Sequence, residues 1–350
     1  MRLSRFGIFI LTDSPVTSGL LPGPEKFEMH LSSDIAIGNG IAGGVLIGAS
    51  STLMLFFTGK VTGISGIVER IIISDRNGSN SWVISYVAGL ISSGVLLCEV
   101  YPEAFGNSPE LLSLSPVGYA IAGFLTGFGT RMGSGCTSGH GICGLPRRSL
   151  RSLAAVATFM VTGALASHLV VNTSLKQLLT ADSAASTNSI EGVIFYATPT
   201  IAVAIFGAAV YNRNFVLNNM LFGTKESKLA ATREEGSIAE HAVSFSSALL
   251  FGLGLGISGM CNSARVTDFL NFTGTRGWDP TLMGVMGGGV LFNALSFSLM
   301  HSFNAPVVLD NSKKLGSILK FDSHQDNLKI DVKLIIGSAL FGIGWGLGKK

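Results

Sequence analysis

Apolar and polar stretches alternate along this chain at a length that fits a bilayer. Continuous apolar segments run over roughly 33–58, 81–100, 115–132, 150–172, 190–211, 239–258, 280–303 and 332–347, and a helix crossing the hydrocarbon core needs about 20 such residues. A shorter helical piece is expected near 62–73. Two further apolar pieces, near 135–145 and 262–272, are too brief to cross. Non-helical backbone is not tolerated against lipid, so these two are expected as re-entrant half-helices enclosed by protein. The pattern predicts an all-α integral membrane protein of about eight spans plus short half-helices.

Composition supports that class. Of 350 residues, 47% are hydrophobic and 13% are charged, against about 25% charged in an ordinary soluble domain; mean hydropathy is +0.50. The net charge of +3 gives no electrostatic footprint for nucleic acid. The four cysteines, Cys98, Cys136, Cys143 and Cys261, lie in or beside apolar segments, which argues against a secreted disulfide framework. The first 32 residues carry an apolar run, Phe6–Leu11, too short for a signal peptide, and are expected as a loosely ordered cytosolic or interfacial tail.

The basic residues orient the spans. Arg147, Arg148 and Arg151 fall in the 144–151 loop; Arg213, Lys225, Lys228 and Arg233 in 212–238; Lys313, Lys314, Lys320, Lys329 and Lys333 in 304–333. The alternate loops hold none in 101–114 and only Lys176 in 173–189. One orientation puts every basic loop in the cytosol. This organisation divides the chain into a tail (1–32), a first transmembrane half (33–211), a cytosolic linker (212–238) and a second half (239–350).

The densest chemistry lies at 127–144, GFGTRMGSGCTSGHGICG, with seven glycines, two cysteines, His140 and Arg131 in eighteen residues. Glycine at this density permits broken helices and close backbone approach. Related glycine-spaced patterns recur at 43–66, 251–262 and 337–346, which suggests two pseudo-symmetric halves of inverted-repeat type. Cys136, His140 and Cys143 stand at i, i+4 and i+7, the spacing of one helix face. A metal trio would need such a face, but no fourth ligand is evident. Buried arginine in a membrane is a functional candidate; Arg131 and Arg265 stand beside cysteines, with Glu69 and Asp268 as candidate ion-pair partners.

The segment 127–152 resembles the signature of the YeeE/YedE sulfur-transport family, supported by GKVTGISGIVERI (59–71), FGLGLGISGMCNSARVTDFLNF (251–272) and WDPTLMGVMGGG (278–289). The resemblance covers roughly 36–347. It implies uptake of thiosulfate, or a related sulfur oxyanion, along a narrow cysteine-lined path, with a cytosolic sulfur-carrier or sulfurtransferase protein as a possible recipient. Family members usually continue past a GWGL-type segment into a glycine-cysteine-proline stretch; this chain ends Gly346-Leu-Gly-Lys-Lys350, so a shortened fourth repeat is expected.

Thiosulfate is a dianion with a soft terminal sulfur. Half-helix N-termini offer oriented N–H groups and about half a unit of positive charge, and a neutral thiol is a weak S–H donor that contacts a solute without trapping it. The expected substrate-binding residues are Cys136 and Cys261, at equivalent places in the two halves, then Cys143, Arg131, Arg265, Gly135, Gly139, His140 and Gly259. No cofactor is implied and no enzymatic role is expected. The alternatives are a membrane thiol oxidoreductase, whose Cys-x-x-Cys dithiol is lacking, and a channel or carrier for another anion or a soft metal. The plasma membrane is the expected location.

Overall fold

The computed structural model describes residues 32–72, 81–105, 116–172, 238–271, 277–303, 306–307, 310–314, 318 and 330–347. The tail, the linker and the span expected at 190–211 lie outside the described residues.

The described chain is almost wholly helical: α1 (Ser32–Thr58), α2 (Ile64–Ile72), α3 (Ser81–Val100), a 3-10 turn (Pro102–Phe105), α4 (Pro116–Met132), a π-helix, π1 (Thr137–Gly144), α5 (Leu150–Asn172), α6 (Ile238–Ile257), α7 (Ser263–Leu270), α8 (Thr281–Phe303) and α9 (Val332–Leu347). A small antiparallel hairpin, β1 (Pro306–Val307) with β2 (Asp310–Lys314), adds to the all-helical expectation. Its Val307 is buried on Leu55 and Phe297.

Five described helices, α1, α3, α5, α6 and α8, are long and apolar enough to cross a membrane. Two expected spans are shorter: α4 has 17 residues and α9 has 16. Five of the eight expected spans are thus helices of full spanning length among the described residues. Val95, Phe124, Val161, Leu291, Leu295 and Leu299 are exposed on these helices, an outward apolar surface suited to lipid. The short pieces expected at 135–145 and 262–272 are π1 and α7, and the piece near 62–73 is α2.

Helices meet through glycine. On α1, Gly40, Gly44 and Gly48 lie against Thr281, Val285 and Gly289 of α8, which runs parallel to it, while Gly43 lies against Gly254 and Ser258 of antiparallel α6. Ser50 donates to the Ser247 carbonyl at 2.7 Å and Ser247 donates back to the Ser50 carbonyl at 2.8 Å. On α3, Gly89 touches Phe245 and Ala248 of α6, and Ser93 sits over Gly252. Helix α9 stands against both α4, through Gly129, Gly133 and Gly337, and α5, through Gly342 and Gly346. In most of these positions a methyl group would overlap backbone of the neighbouring helix. Close approach of this kind replaces the hydrophobic drive that lipid removes.

These pairings fix the sidedness. Lys60, just past α1, forms an ion pair with Glu240 at the start of α6. Arg151, at the start of α5, pairs with Asp331 before α9 at 3.2 Å. The ends of α1, α4 and α8 and the starts of α3, α5, α6 and α9 therefore share one face, together with α2, π1 and the basic 144–151 loop. Helix α7 lies at the opposite face.

The glycine crossings are testable. Gly337→Leu would drive its side chain into Gly133 and Met132 backbone, and overpacking of this kind costs about 1–3 kcal/mol. Gly123 faces open space, so Gly123→Leu should leave folding intact. Melting midpoints of the purified variants in detergent should drop for the first and hold for the second; equal midpoints would refute the packing.

Candidate functional site

Three helices end in the same way, and each ending delivers one residue to a comparable position. Gly59 after α1 (φ +67°), Ser134 after α4 (φ +59°) and Gly259 after α6 (φ +69°) all adopt the left-handed conformation. At the α4 end, the Gly135 N–H reaches back to the Thr130 carbonyl at 3.0 Å; at the α6 end, the Met260 N–H reaches the Leu255 carbonyl at 3.0 Å. Both are the wide closing bonds of a Schellman-type cap. Two residues beyond each left-handed position stand Val61, Cys136 and Cys261. Cys136 and Cys261 thus follow like turns at opposite faces of the protein, and Val61 holds the corresponding place after α1.

Cys136 is buried, in extended backbone just before π1. Its sulfur lies 3.2 Å from the Ser138 hydroxyl, and the Ser65 hydroxyl, the Ser65 N–H and the Gly139 N–H face the same sulfur. Ser138 also accepts the Ile64 N–H at 3.2 Å, joining the N-termini of α2 and π1 around the thiol. On its other side Cys136 packs on Phe159 and Phe341, with Val156, Met160 and Trp345 beside them.

His140 and Cys143 have other hydrogen-bond partners, and His140 lines a cavity above Cys136. The His140 Nε2–H donates to the Gly133 carbonyl at 3.0 Å, since a carbonyl only accepts, and in the neutral ring Nδ1 accepts from Ser152 at 3.1 Å. Gly135 leaves the room: a side chain there would strike the imidazole. Cys143 is fully buried and donates to the Thr62 carbonyl at 3.0 Å, with Ser51 at 3.4 Å. The expected shared face of Cys136, His140 and Cys143 does not form. Cys136 precedes the helix, and π-type i→i+5 winding, seen in the Leu145 N–H bond to the His140 carbonyl, turns the two later side chains apart.

Above Cys136 opens a cavity of about 330 Å³, within the range of small-molecule sites. Ser65 and Gly139, whose N–H groups face the Cys136 sulfur, line it together with Gly63, Gly66, Gly135 and His140, while the thiol itself stays behind the lining, and Arg70, Arg147 and Arg151 carry charge to its wall. No carboxylate lines it among the described residues. Arg70 stacks over Trp82 with 5.5 Å to the ring, and Arg147 donates to the Cys143 carbonyl at 3.1 Å. Sequence reasoning used Arg147 and Arg151 only for orientation and passed over Arg70. Their nearness to the 127–144 motif was the available signal.

The two expected arginines sit apart from this cavity. Arg131 is exposed and paired with Glu69, so it is not a buried membrane charge. Arg265 pairs with Asp279 at 3.5 Å, not with Asp268, and donates to Thr281 at 3.2 Å. With Asn39, Tyr101, Ser258, Gly259 and Asn262 it lines a pocket of about 60 Å³ at the opposite face. Gly259 has no side chain to collide with the guanidinium there. Cys261 is half-buried in the turn before α7. Met160, Met260, Met286 and Trp345 pack on Phe269, Leu270 and Leu282 in an apolar cluster that joins α7 to α5, α8 and α9.

A family of unknown function, DUF6691, matches residues 240–349. Two proteins named "Probable transporter" from Xylella fastidiosa, strains Temecula1 and 9a5c, are 42% and 40% identical over 123 residues, which is 35% of this chain and 87% of each relative. Another "Probable transporter" of strain Temecula1 is 34% identical over 111 residues, 32% of this chain and 68% of that protein. No solved structure matches at comparable significance.

The helix ends yield a paired prediction. An L-residue in the left-handed region costs about 1–2 kcal/mol, which Ser134 bears and Gly259 avoids. Ser134→Gly should raise the melting midpoint, and Gly259→Ala should lower it while crowding Arg265. A shift of the same sign in both would contradict the assignment.

Proposed function

The chain belongs to the family of the Xylella transporters, and on that premise we propose that it moves thiosulfate or a related sulfur oxyanion into the cell along a path that passes Cys136. The observation that carries this reading is the cavity beside the Cys136 turn, walled by three guanidinium groups, one of them, Arg151, shared with Asp331, and by no carboxylate among the described residues. Guanidinium groups bind oxyanions with paired, charge-assisted hydrogen bonds. A site rich in cation but open to solvent on the basic face holds an anion without trapping it.

In this reading the solute enters at the opposite face, where Arg265 and Asn262 draw it toward the turn that carries Cys261. The Asp279 partner tempers that charge and weakens retention. The apolar interior, Met160, Met260, Met286 and Trp345 among it, opens for passage; unbranched methionines repack at low cost. At Cys136 the S–H meets the terminal sulfur, and the N–H groups of Ser65 and Gly139, at the starts of α2 and π1, meet developing negative charge. Gly135 and Gly139 keep the floor free of side chains. His140, held through Gly133 and Ser152, presents its ring to the same cavity, and Cys143 stabilises the contact with Thr62. Arg70, Arg147 and Arg151 then receive the anion, and a cytosolic sulfur-carrier or sulfurtransferase protein takes it at the mouth. Arg131, held by Glu69 near that mouth, adds long-range attraction only.

Two thiols with separate partners, Cys136 on Ser138 and Cys143 on the Thr62 carbonyl, give no support to a dithiol redox reading.

The test is uptake of radiolabelled thiosulfate into proteoliposomes. Cys136→Ala should cut the initial rate at least tenfold. Arg147→Gln combined with Arg151→Gln should raise the half-saturating concentration at least tenfold, since even one hydrogen bond to a charged group is worth about 1.5–3 kcal/mol. Uptake by the unaltered protein no faster than by empty liposomes would reject the solute. Uptake unchanged in Cys136→Ala would reject the thiol.

A further inference from the structure

The glycine crossings have an unusual distribution. The most extensive helix contacts are α1 with α8, α9 with α5, α3 with α6, α1 with α6 and α9 with α4. Each joins a helix before residue 173 to a helix after residue 237. Several long-range polar contacts also cross between the two segments, beside others that stay within one. Ser50 and Ser247 exchange hydrogen bonds. Thr52 donates to Asn293 at 3.0 Å, and Asn293 donates to the Ile142 carbonyl at 2.8 Å. Lys60 pairs with Glu240 and Arg151 with Asp331. Each segment therefore fills its glycine grooves with the other, and α9 stands between α4 and α5.

A second observation is independent of the coordinates. The 123 matched residues make up 87% of one relative but 35% of this chain, so that relative is a protein of less than half this length. Strain Temecula1 holds two different relatives of this kind. The family match confined to 240–349 covers the second segment as a unit.

We infer that residues 32–172 and 238–347 belong to two complementary half-proteins that recognise each other inside the membrane, and that the covalent link between them is dispensable for assembly. The partner each half fits is the other half, docked through small-residue grooves closed by backbone and pinned by the Ser50–Ser247 exchange. Linkage in one chain fixes a one-to-one ratio and raises the effective concentration of each half for the other. The inference concerns assembly and does not rest on the choice of solute.

The experiment makes residues 1–223 and 224–350 together in one cell from separate reading frames, with an affinity tag on the first piece only. Capture in mild detergent should bring down the second piece in equal amount. Gly44→Leu, which drives a side chain into Val285 backbone, should lower that capture at least tenfold. Gly287→Leu, at a position facing open space, should not change it. Pieces that accumulate in the membrane without co-capture would overturn the inference, as would a second piece that captures only its own copies. If a piece fails to accumulate alone, the full chain with a protease site between Gly223 and Thr224 decides. After cutting, co-elution of the fragments with loss of co-elution in Gly44→Leu supports the inference, and separation of the unaltered fragments overturns it.

Discussion

Backbone that is not helical has no hydrogen-bonding partner in lipid, so a membrane protein can break a helix only where protein surrounds the break. That constraint governs this molecule. The turns after α1, α4 and α6, and the short α2, π1 and α7 that follow them in order, carry its polar chemistry. They persist because long helices close around them. The closure depends on glycine: α1 reaches α8 and α6, and α9 reaches α4 and α5, at distances that any side chain would prevent. Substituting those glycines would expose the turns along with loosening the bundle.

The turns themselves are alike. A left-handed residue ends the helix, at Gly59, Ser134 and Gly259, and the chain then presents Val61, Cys136 or Cys261 two residues later. The repeated backbone explains why cysteines distant in sequence hold comparable places at opposite faces. It also separates their surroundings. Cys136 lies between two half-helix N-termini under an arginine-walled cavity, whereas Cys261 lies in a half-buried turn near a small pocket whose arginine is matched by Asp279. The charge available to a solute is therefore unequal at the two ends, greater on the face with the basic loops.

Much of this was legible before any coordinates. Apolar length marked α1, α3, α5, α6 and α8, and the brevity of 135–145 and 262–272 marked π1 and α7, because bilayer thickness sets how many apolar residues an element needs. Loop arginines and lysines fixed which helix ends share a face, and the ion pairs Lys60–Glu240 and Arg151–Asp331 agree with it. Helix ends at Gly59 and Gly259 were legible as glycine positions. Ser134, a serine in the same conformation, was not, since its backbone is imposed by the turn and not by its own preference.

Three-dimensional arrangement decided the rest. Spacing alone put Cys136, His140 and Cys143 on one face, but the extended residue before π1 and the wider π turn send them to Ser138, Gly133 and Thr62 in turn. Spacing offered Asp268 to Arg265, and the fold supplies Asp279. Arg70, on α2, meets Arg147 and Arg151 only because α2 and π1 pack side by side. Local sequence determines where a helix starts, stops and enters the membrane, since those depend on nearest neighbours and on the fixed thickness of the bilayer. Which side chains converge depends on contacts between residues far apart in the chain, and here the main helix packing that frames them runs from one half of the molecule to the other.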